Sequence, residues 1–421
     1  MLFRSVQSNV IRGLSRIQYE ALREMCRYSN NLYNVALYNI RQCYFNSKKF
    51  LTYENNYHEC KTNENYSLLQ AGVAQQTLKV VDRSFKSFFK LLKKCKKGDY
   101  RYHDVKIPHY HKKGGLFNLI MSQNAIAISE GYFQVPMSRA FRSAHPDLKE
   151  ILIPFPERLK DKVIKEVRIL PCNHGKVFKI QYVYKSVSED LHLNKNNILS
   201  IDPGVDNIAA CITTIGTSFI VDGRKLKSIN HQWNKEVARL RSISMKQKLK
   251  TTERINKITE KRNNQVKDAI RKTARYIINY CIEHDIGKIV FGYNPGIKQN
   301  SDMGKINNQN FVQIPHGDLR QQLEYLCDKY GMEYIEQEES YTSKSSFLDL
   351  DVLPVYLPEQ PYLGEFKGRR IYRGLYKSQN GTIMNADING SANILRKSKQ
   401  NFDYEKLCIG LLASPQRIRV A

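Results

Sequence analysis

The sequence predicts an α/β fold: a mixed α/β domain in the carboxyl-terminal half, preceded by a β-rich stretch interrupted by helices. Three observations carry this. Ile198-Leu199-Ser200-Ile201 reads as a buried strand ending on Asp202, and Pro203-Gly204 turns the chain into a second strand, Asn207 to Thr213. Asn385-Ala386-Asp387 opens an apolar-periodic stretch through Ile388, Ala392, Ile394 and Leu395, which puts Asp387 in the first turn of a helix. Finally, 67 Lys and Arg against 40 Asp and Glu leave +27 formal charges, an excess that makes nucleic acid the default partner.

Taken in order, residues 1 to about 12 read as a lone strand, followed by helical periodicity from Ile17 to Asn46. A second helix is marked by Leu78, Val81, Phe85, Phe88 and Leu92 at three- and four-residue steps, and these apolar residues read as core. Its other face carries Gln75, Gln76, Lys79, Arg83, Lys86 and Lys90, either a DNA-reading surface or a solvated basic face. From Val105 to Tyr184 the pattern becomes short β runs: Leu116 to Met121, Tyr132 to Val135, Val163 to Leu170 and Val177 to Tyr184. The loop Pro108 to Lys113 mixes aromatics with cations, which suits phosphate contact and stacking; its His109 and His111 read as polar loop residues rather than metal ligands.

The carboxyl-terminal domain starts near Asn196. After three strands comes one long basic helix pattern, roughly Leu226 to Glu283, including Lys246, Lys248, Lys250, Arg254, Lys257, Lys261 and Arg262. Its single-sign excess favours a nucleic-acid backbone over a bare solvated strut. The stretch from Met332 to Glu339 is a strand ending in acids, while the tail after Lys397 is short of core residues and reads as mobile. The nine cysteines form no Cys-x-x-Cys pair, which argues for reduced thiols and a cytoplasmic setting, nucleoid-associated in a prokaryote. No apolar run approaches the roughly 20 residues that span a bilayer, so no membrane partner is expected, and the amino terminus lacks a signal-peptide core.

The two aspartate motifs, in this order and with a basic helix and a β-α-β stretch between them, resemble the RuvC-type (RNase H-like) nuclease core of transposon-encoded TnpB/OrfB proteins. These are relatives of type V CRISPR effectors and of eukaryotic Fanzor proteins. The segments Lys288 to Gln299, Asn307 to Pro315 and Glu338 to Asp349 look like stretches of the same family in the same order. The resemblance implies a RuvC-like nuclease domain over 196–400 and a wedge β-barrel from 1–12 and 100–190. It further implies a helical recognition domain over 13–99 and a flexible tail over 401–421. The implied activity is RNA-guided cleavage of double-stranded DNA beside a short motif, using a transposon-derived guide RNA and two Mg²⁺ ions. The implied nucleic-acid contacts are Gln75, Gln76, Lys79, Arg83, Lys298, Gln299 and Lys344.

The chain departs from the family twice. Many relatives carry a four-cysteine zinc ribbon whose first position falls on Ser346, yet no cysteine lies between Ser345 and Met384, so 345–384 reads as an insert without structural zinc. Within it, Lys367 to Arg370 is a basic patch, and Asp349 and Asp351 read as surface acids. In most TnpB proteins a glutamate ends the strand that here is Lys288 to Phe291, but Gly292-Tyr293-Asn294 follows instead. In Fanzor proteins and some TnpB relatives the glutamate comes three residues before a Thr-Ser pair, which here is Glu339 before Thr342-Ser343. Strand alternation sends Glu338 and Glu339 to opposite sides, leaving either as the third ligand beside Asp202 and Asp387, with Glu339 preferred. The vacant position also supports an alternative: a nuclease-dead RNA-guided DNA-binding repressor.

Overall fold

The computed structural model describes residues 2–249, 251–294, 313–356, 362–372, 374–409 and 414–420. The chain divides after Ser186 into two compact units.

The first unit contains β1 (Leu2–Val10), α1 (Arg16–Ser47), α2 (Tyr53–Cys60), α3 (Glu64–Ser67), α4 (Ala71–Lys96), β2 (Leu119–Ser122), β3 (Ala127–Ser129) and β4 (Tyr132–Gln134). It continues with α5 (Arg139–Ala144), β5 (Leu152–Pro154), β6 (Ile164–Cys172) and β7 (Val177–Val187). The strands form one sheet in the order β1-β7-β6-β2 and another in the order β3-β4-β5. Helix α1 starts on a capping box, in which Ser15 and Gln18 bond each other's backbone N–H groups. Helix α4 buries Leu78, Val81 and Phe85 of the stripe read from the sequence, together with Val73 and Ala74, while Phe88 and Leu92 are half-buried. Lys79 and Arg83 are exposed as expected, but Gln75 and Gln76 are half-buried. Gln75 bonds the hydroxyl of Tyr66, because α3 packs on that flank of α4. His111 stacks on Tyr33 with ring centroids 3.9 Å apart, and burial lowers its pKa, so it packs as a neutral ring.

The second unit contains β8 (Ile198–Asp202), β9 (Asn207–Thr213), β10 (Ser218–Asp222), α6 (Arg224–Lys246), α7 (Glu253–Glu283), β11 (Lys288–Tyr293), α8 (His316–Tyr330) and β12 (Glu333–Glu338). After these come β13 (Arg369–Tyr372), β14 (Leu375–Lys377), β15 (Ile383–Asn385), α9 (Ala386–Lys397), α10 (Tyr404–Ile409) and β16 (Gln416–Ile418). Six strands make one mixed sheet in the order β12-β11-β8-β9-β10-β16. Its central strands are buried on both faces. Leu199, Ile201, Phe219, Ile289 and Phe291 meet Leu226, Ile270, Ile277, Leu319 and Leu323 of α6, α7 and α8. The alternate residues Ile198, Ala210, Ile212, Ile220 and Val290 meet Ile388, Ala392, Ile394 and Leu395 of α9. Two-residue periodicity therefore sends Ser200 and Asp202 to the α9 face.

Three expectations are corrected here. The long basic helix is two helices: Lys248 takes a left-handed conformation (φ 54°) after α6, and Thr252 caps α7 by accepting from the Ile255 N–H. Asn230 pairs with Arg262 and Trp233 with Thr259, which makes α6 and α7 antiparallel. Arg262 is spent on this packing, with its guanidinium over the Trp233 ring. Nor is the tail free. Leu407 is buried in the α9-side core, and β16 adds in parallel to the open edge of β10, with Phe219 opposite Gln416 and Val221 opposite Ile418. Finally, Asp351 is only 6 % exposed and accepts from the Ser346 and Lys367 N–H groups, while Asp349 accepts from the Gln379 N–H. These carboxylates clasp the loops of the insert, where a surface acid would face water.

Candidate active site

The site forms where α9 crosses β8. Ser200 Oγ donates to Ser391 O at 2.8 Å and Ser391 Oγ returns the bond to Ser200 O at 2.9 Å, so helix and strand are pinned by a reciprocal pair of side-chain-to-backbone bonds. Gly390 makes the approach possible, since a Cβ there would lie 2.2 Å from Asp202 Oδ2. Asn385 caps α9, accepting from the Asp387 and Ile388 N–H groups, which sets Asp387 in the first turn.

The acids at the end of β12 have opposite fates. Glu338 accepts from the Ser340 N–H at 2.6 Å and pairs with Lys397 Nζ at 2.6 Å; Lys397 also donates to Ser340 O and Pro354 O. Burial works to raise the Glu338 pKa, but the bonds from Lys397 and Ser340 outweigh it and hold the group below the usual range. Glu339 faces the other way, and its Oε2 is buried without a hydrogen bond. Burial foremost, with Glu338 adding and Lys397 opposing, pushes its pKa up to about 7. Asp202 is driven well above the usual carboxylate range by burial, then by the charges of Glu339 and Asp387, against the pull of Arg370.

Asp202 and Glu339 line one cavity of about 860 Å³ together with Tyr293, Tyr341, Lys344 and Tyr356. Asp387 opens instead on an adjoining cavity with Asn207, Arg370 and Arg417. Its carboxylate accepts from Asn207 Nδ2 and, at 3.2 Å, from Arg370, while Arg417 holds Asn207 Oδ1 at 3.0 Å. Among the described residues, no three His, Cys, Asp or Glu side chains gather as one metal centre. The expected triad thus stands as a pair, Asp202 and Glu339, on one cavity, with the Asp387 carboxylate on another, bonded to Asn207 and Arg370. Oxygen-only donors, a buried carboxylate oxygen without a partner and two acids with raised pKa values fit a hard divalent cation such as Mg²⁺.

Of the expected nucleic-acid contacts, Lys344 lies in this cavity, with its ammonium 5.9 Å from the Tyr341 ring. Gln75, Gln76, Lys79 and Arg83 belong to the first unit, and Lys298 and Gln299 lie outside the described residues. Several contributors escaped the sequence reading. Asn389 and Asn393, one turn apart on α9, donate to Ser345 O, and Asn393 also donates to Thr342 O, anchoring the chain that follows Glu339. Their four-residue spacing was the available signal. Asn207, Lys397 and Arg417 gave none, because their roles depend on partners far along the chain.

The model of the OrfB_IS605 family, described as a probable transposase, matches residues 181–298, and that of the Cas12f1-like TNB domain matches 316–394. The chain is 23% identical to the TnpB-like protein ORF457 of Acidianus two-tailed virus over 93% of its length and 86% of that protein. Its fold is similar to that of Cas12f1 in a cryo-EM complex with sgRNA and target DNA. There the TM-score is 0.59 at 15% identity, covering 90% of this chain and 83% of the other. The mini-RNA-guided endonuclease CRISPR-Cas phi3 is similar with a TM-score of 0.51 at 10% identity, covering 95% and 94%. At these identities the structural likeness establishes the RuvC-type fold. No described helix is long and apolar enough to cross a membrane.

Proposed function

We propose that this chain, a member of the TnpB family, is an RNA-guided DNA endonuclease that hydrolyses phosphodiesters with divalent metal at Asp202, Glu339 and Asp387. The observation that carries the reading is the half-buried pair Asp202 and Glu339 on one cavity, with Glu339 Oε2 itself cut off from water and its charge raising the Asp202 pKa, in a protein of formal charge +27. Two like charges buried together are costly unless a cation or a proton offsets them. Mg²⁺ ions held there would supply Lewis-acid neutralisation of phosphate charge and activation of water. Asp202 and Glu339 hold fixed oxygens toward the cavity, Arg370 offers a guanidinium to phosphate once it leaves Asp387, and Lys344 adds a cation at the cavity wall. A guide RNA paired with one target strand would be recognised by its backbone and shape, with exposed Lys79 and Arg83 as candidate contacts in the first unit. That unit supplies the two sheets and helices from which a wedge and a recognition domain would be built. Lys298 and Gln299, outside the described residues, would be further contacts to the nucleic acid.

The test is plasmid cleavage by the protein with its co-purifying RNA and Mg²⁺. Asp202→Ala and Asp387→Ala should each abolish cutting and leave RNA binding nearly intact; retained cutting by either variant refutes the site. One observation favours a second reading, a guided repressor that binds without cutting: Asp387 is already occupied by Asn207 and Arg370. Target binding without nicking at any Mg²⁺ concentration would select it.

A further inference from the structure

Beside the acids stands an aromatic group that metal chemistry does not require. Tyr341 has a φ of 63°, an uncommon conformation for a bulky side chain, which costs free energy and persists where the surroundings demand it. The turn it makes is closed by Thr342 Oγ1 donating to Glu339 O at 2.8 Å and by the Lys344 and Ser345 N–H groups donating to Tyr341 O. Its hydroxyl is fixed as well, accepting from the Tyr362 N–H at 3.1 Å. The ring therefore stands rigidly two residues from Glu339. Tyr362 meets it edge-on at 6.0 Å, Phe366 lies at 6.2 Å, and Tyr356 leans over it at 6.4 Å. Tyr362 and Phe366 are half-buried supports, whereas Tyr356 is 54 % exposed and lines the same cavity as Asp202 and Glu339.

An open aromatic face on a braced cluster, with a lysine at its edge and two carboxylates on the same cavity wall, matches one chemistry: a nucleotide whose phosphate lies toward the acids and whose base lies on the ring. We propose that Tyr356, braced by Tyr341, is the stacking seat for the nucleobase next to the scissile phosphate, with Lys344 taking the adjoining phosphate. The proposal rests on the nuclease reading for the word scissile. Stacking itself needs only an unpaired base, since a base within a duplex presents no free face to the ring. Tyr356 is a positioning residue: it fixes the strand's register and takes no part in bond making.

The test uses the full-length protein, Ca²⁺ in place of Mg²⁺ to prevent cutting, and a short single-stranded oligodeoxynucleotide along which one 2-aminopurine is walked. Stacking quenches that base at one position. Tyr356→Ala should remove the quench and weaken binding by roughly 5- to 50-fold, and Tyr356→Trp should restore both. An abasic residue at the quenched position should weaken wild-type binding by a similar factor and add nothing in Tyr356→Ala, a comparison made on an unaltered protein. Undiminished quenching in Tyr356→Ala, or an abasic penalty that survives it, overturns the seat. Cutting is assayed separately with Mg²⁺. A wild type that quenches but never cuts removes the nuclease reading and retains the seat; one that cuts without the quench removes the seat alone.

Discussion

Glu339 Oε2 and the flexible tip of Ile394 share the space that a side chain on Gly292 would need: a Cβ there would lie 2.6 Å from the oxygen and 2.5 Å from Ile394 Cδ1. Residue 292 lies one step beyond the Phe291–Ile201 pair of β11 and β8, level with Asp202. Where the resemblance to TnpB proteins implies a glutamate at the end of this strand the chain has glycine, and under the nuclease reading the oxygen from the neighbouring strand stands in exchange for it. Glu339→Ala should cut at least about a hundredfold more slowly. Adding Gly292→Glu to that variant should recover at least about tenfold of the loss, because a carboxylate from either strand can reach the same point. Plasmid cleavage by the two variants is the measurement, and equal inactivity in both rejects the exchange.

Gly390→Ala tests the closeness of α9 to β8. Alanine is the better helix former by about 1 kcal/mol, so propensity alone predicts a more stable protein. Here its methyl would lie 2.2 Å from Asp202 Oδ2, so either that carboxylate or the helix must shift. The expected outcome is a folded protein, by circular dichroism, whose cutting falls by more than about tenfold. Normal cutting would mean that Asp202 does not need its present position.

The pH dependence follows from the raised acids. In the metal-free protein Glu339 titrates near 7, above its unfolded value, so between the two the folded state keeps a proton the unfolded chain has lost. Stability therefore falls as pH rises through this window and levels off above it, with Asp202 adding in the same direction. The Tm of chelator-treated protein should drop from about pH 5 to about pH 8, and Glu339→Gln should flatten the slope. Mg²⁺ should raise Tm more at the upper end than at the lower. An identical slope in wild type and Glu339→Gln rules the assignment out.

Lys397 is 7 % exposed and answers the half-buried Glu338. Lys397→Met should cost about 3 kcal/mol in denaturant unfolding, because it strands a charge, while Lys397→Met with Glu338→Gln should cost less than the single change. A double variant no better than the single one would show that Lys397 acts through its carbonyl contacts.

Asp202 and Asp387 were legible because their placement is local: a strand running into Pro203-Gly204, and an asparagine cap with its helix. The choice between Glu338 and Glu339 was half legible. Alternation separated them, but which one faces the cavity is decided by Lys397, nearly sixty residues later. The break between α6 and α7 was hidden because neither Gly nor Pro marks it; a lysine supplies the left-handed residue. Asp349 and Asp351 resembled surface acids because their partners are backbone N–H groups of distant loops. Strand β16 escaped for a related reason: three residues pairing in parallel with a strand some two hundred positions away leave no periodic trace.

That late strand carries Arg417, which orients Asn207, which in turn holds Asp387. Asn207 and Asp202 lie some two hundred residues before Arg417, and until that residue pairs nothing steadies Asn207 from its side. Contacts so distant in sequence carry a large loop-closure cost, so under the nuclease reading the seating of Asp387 depends on a pairing made from far along the chain.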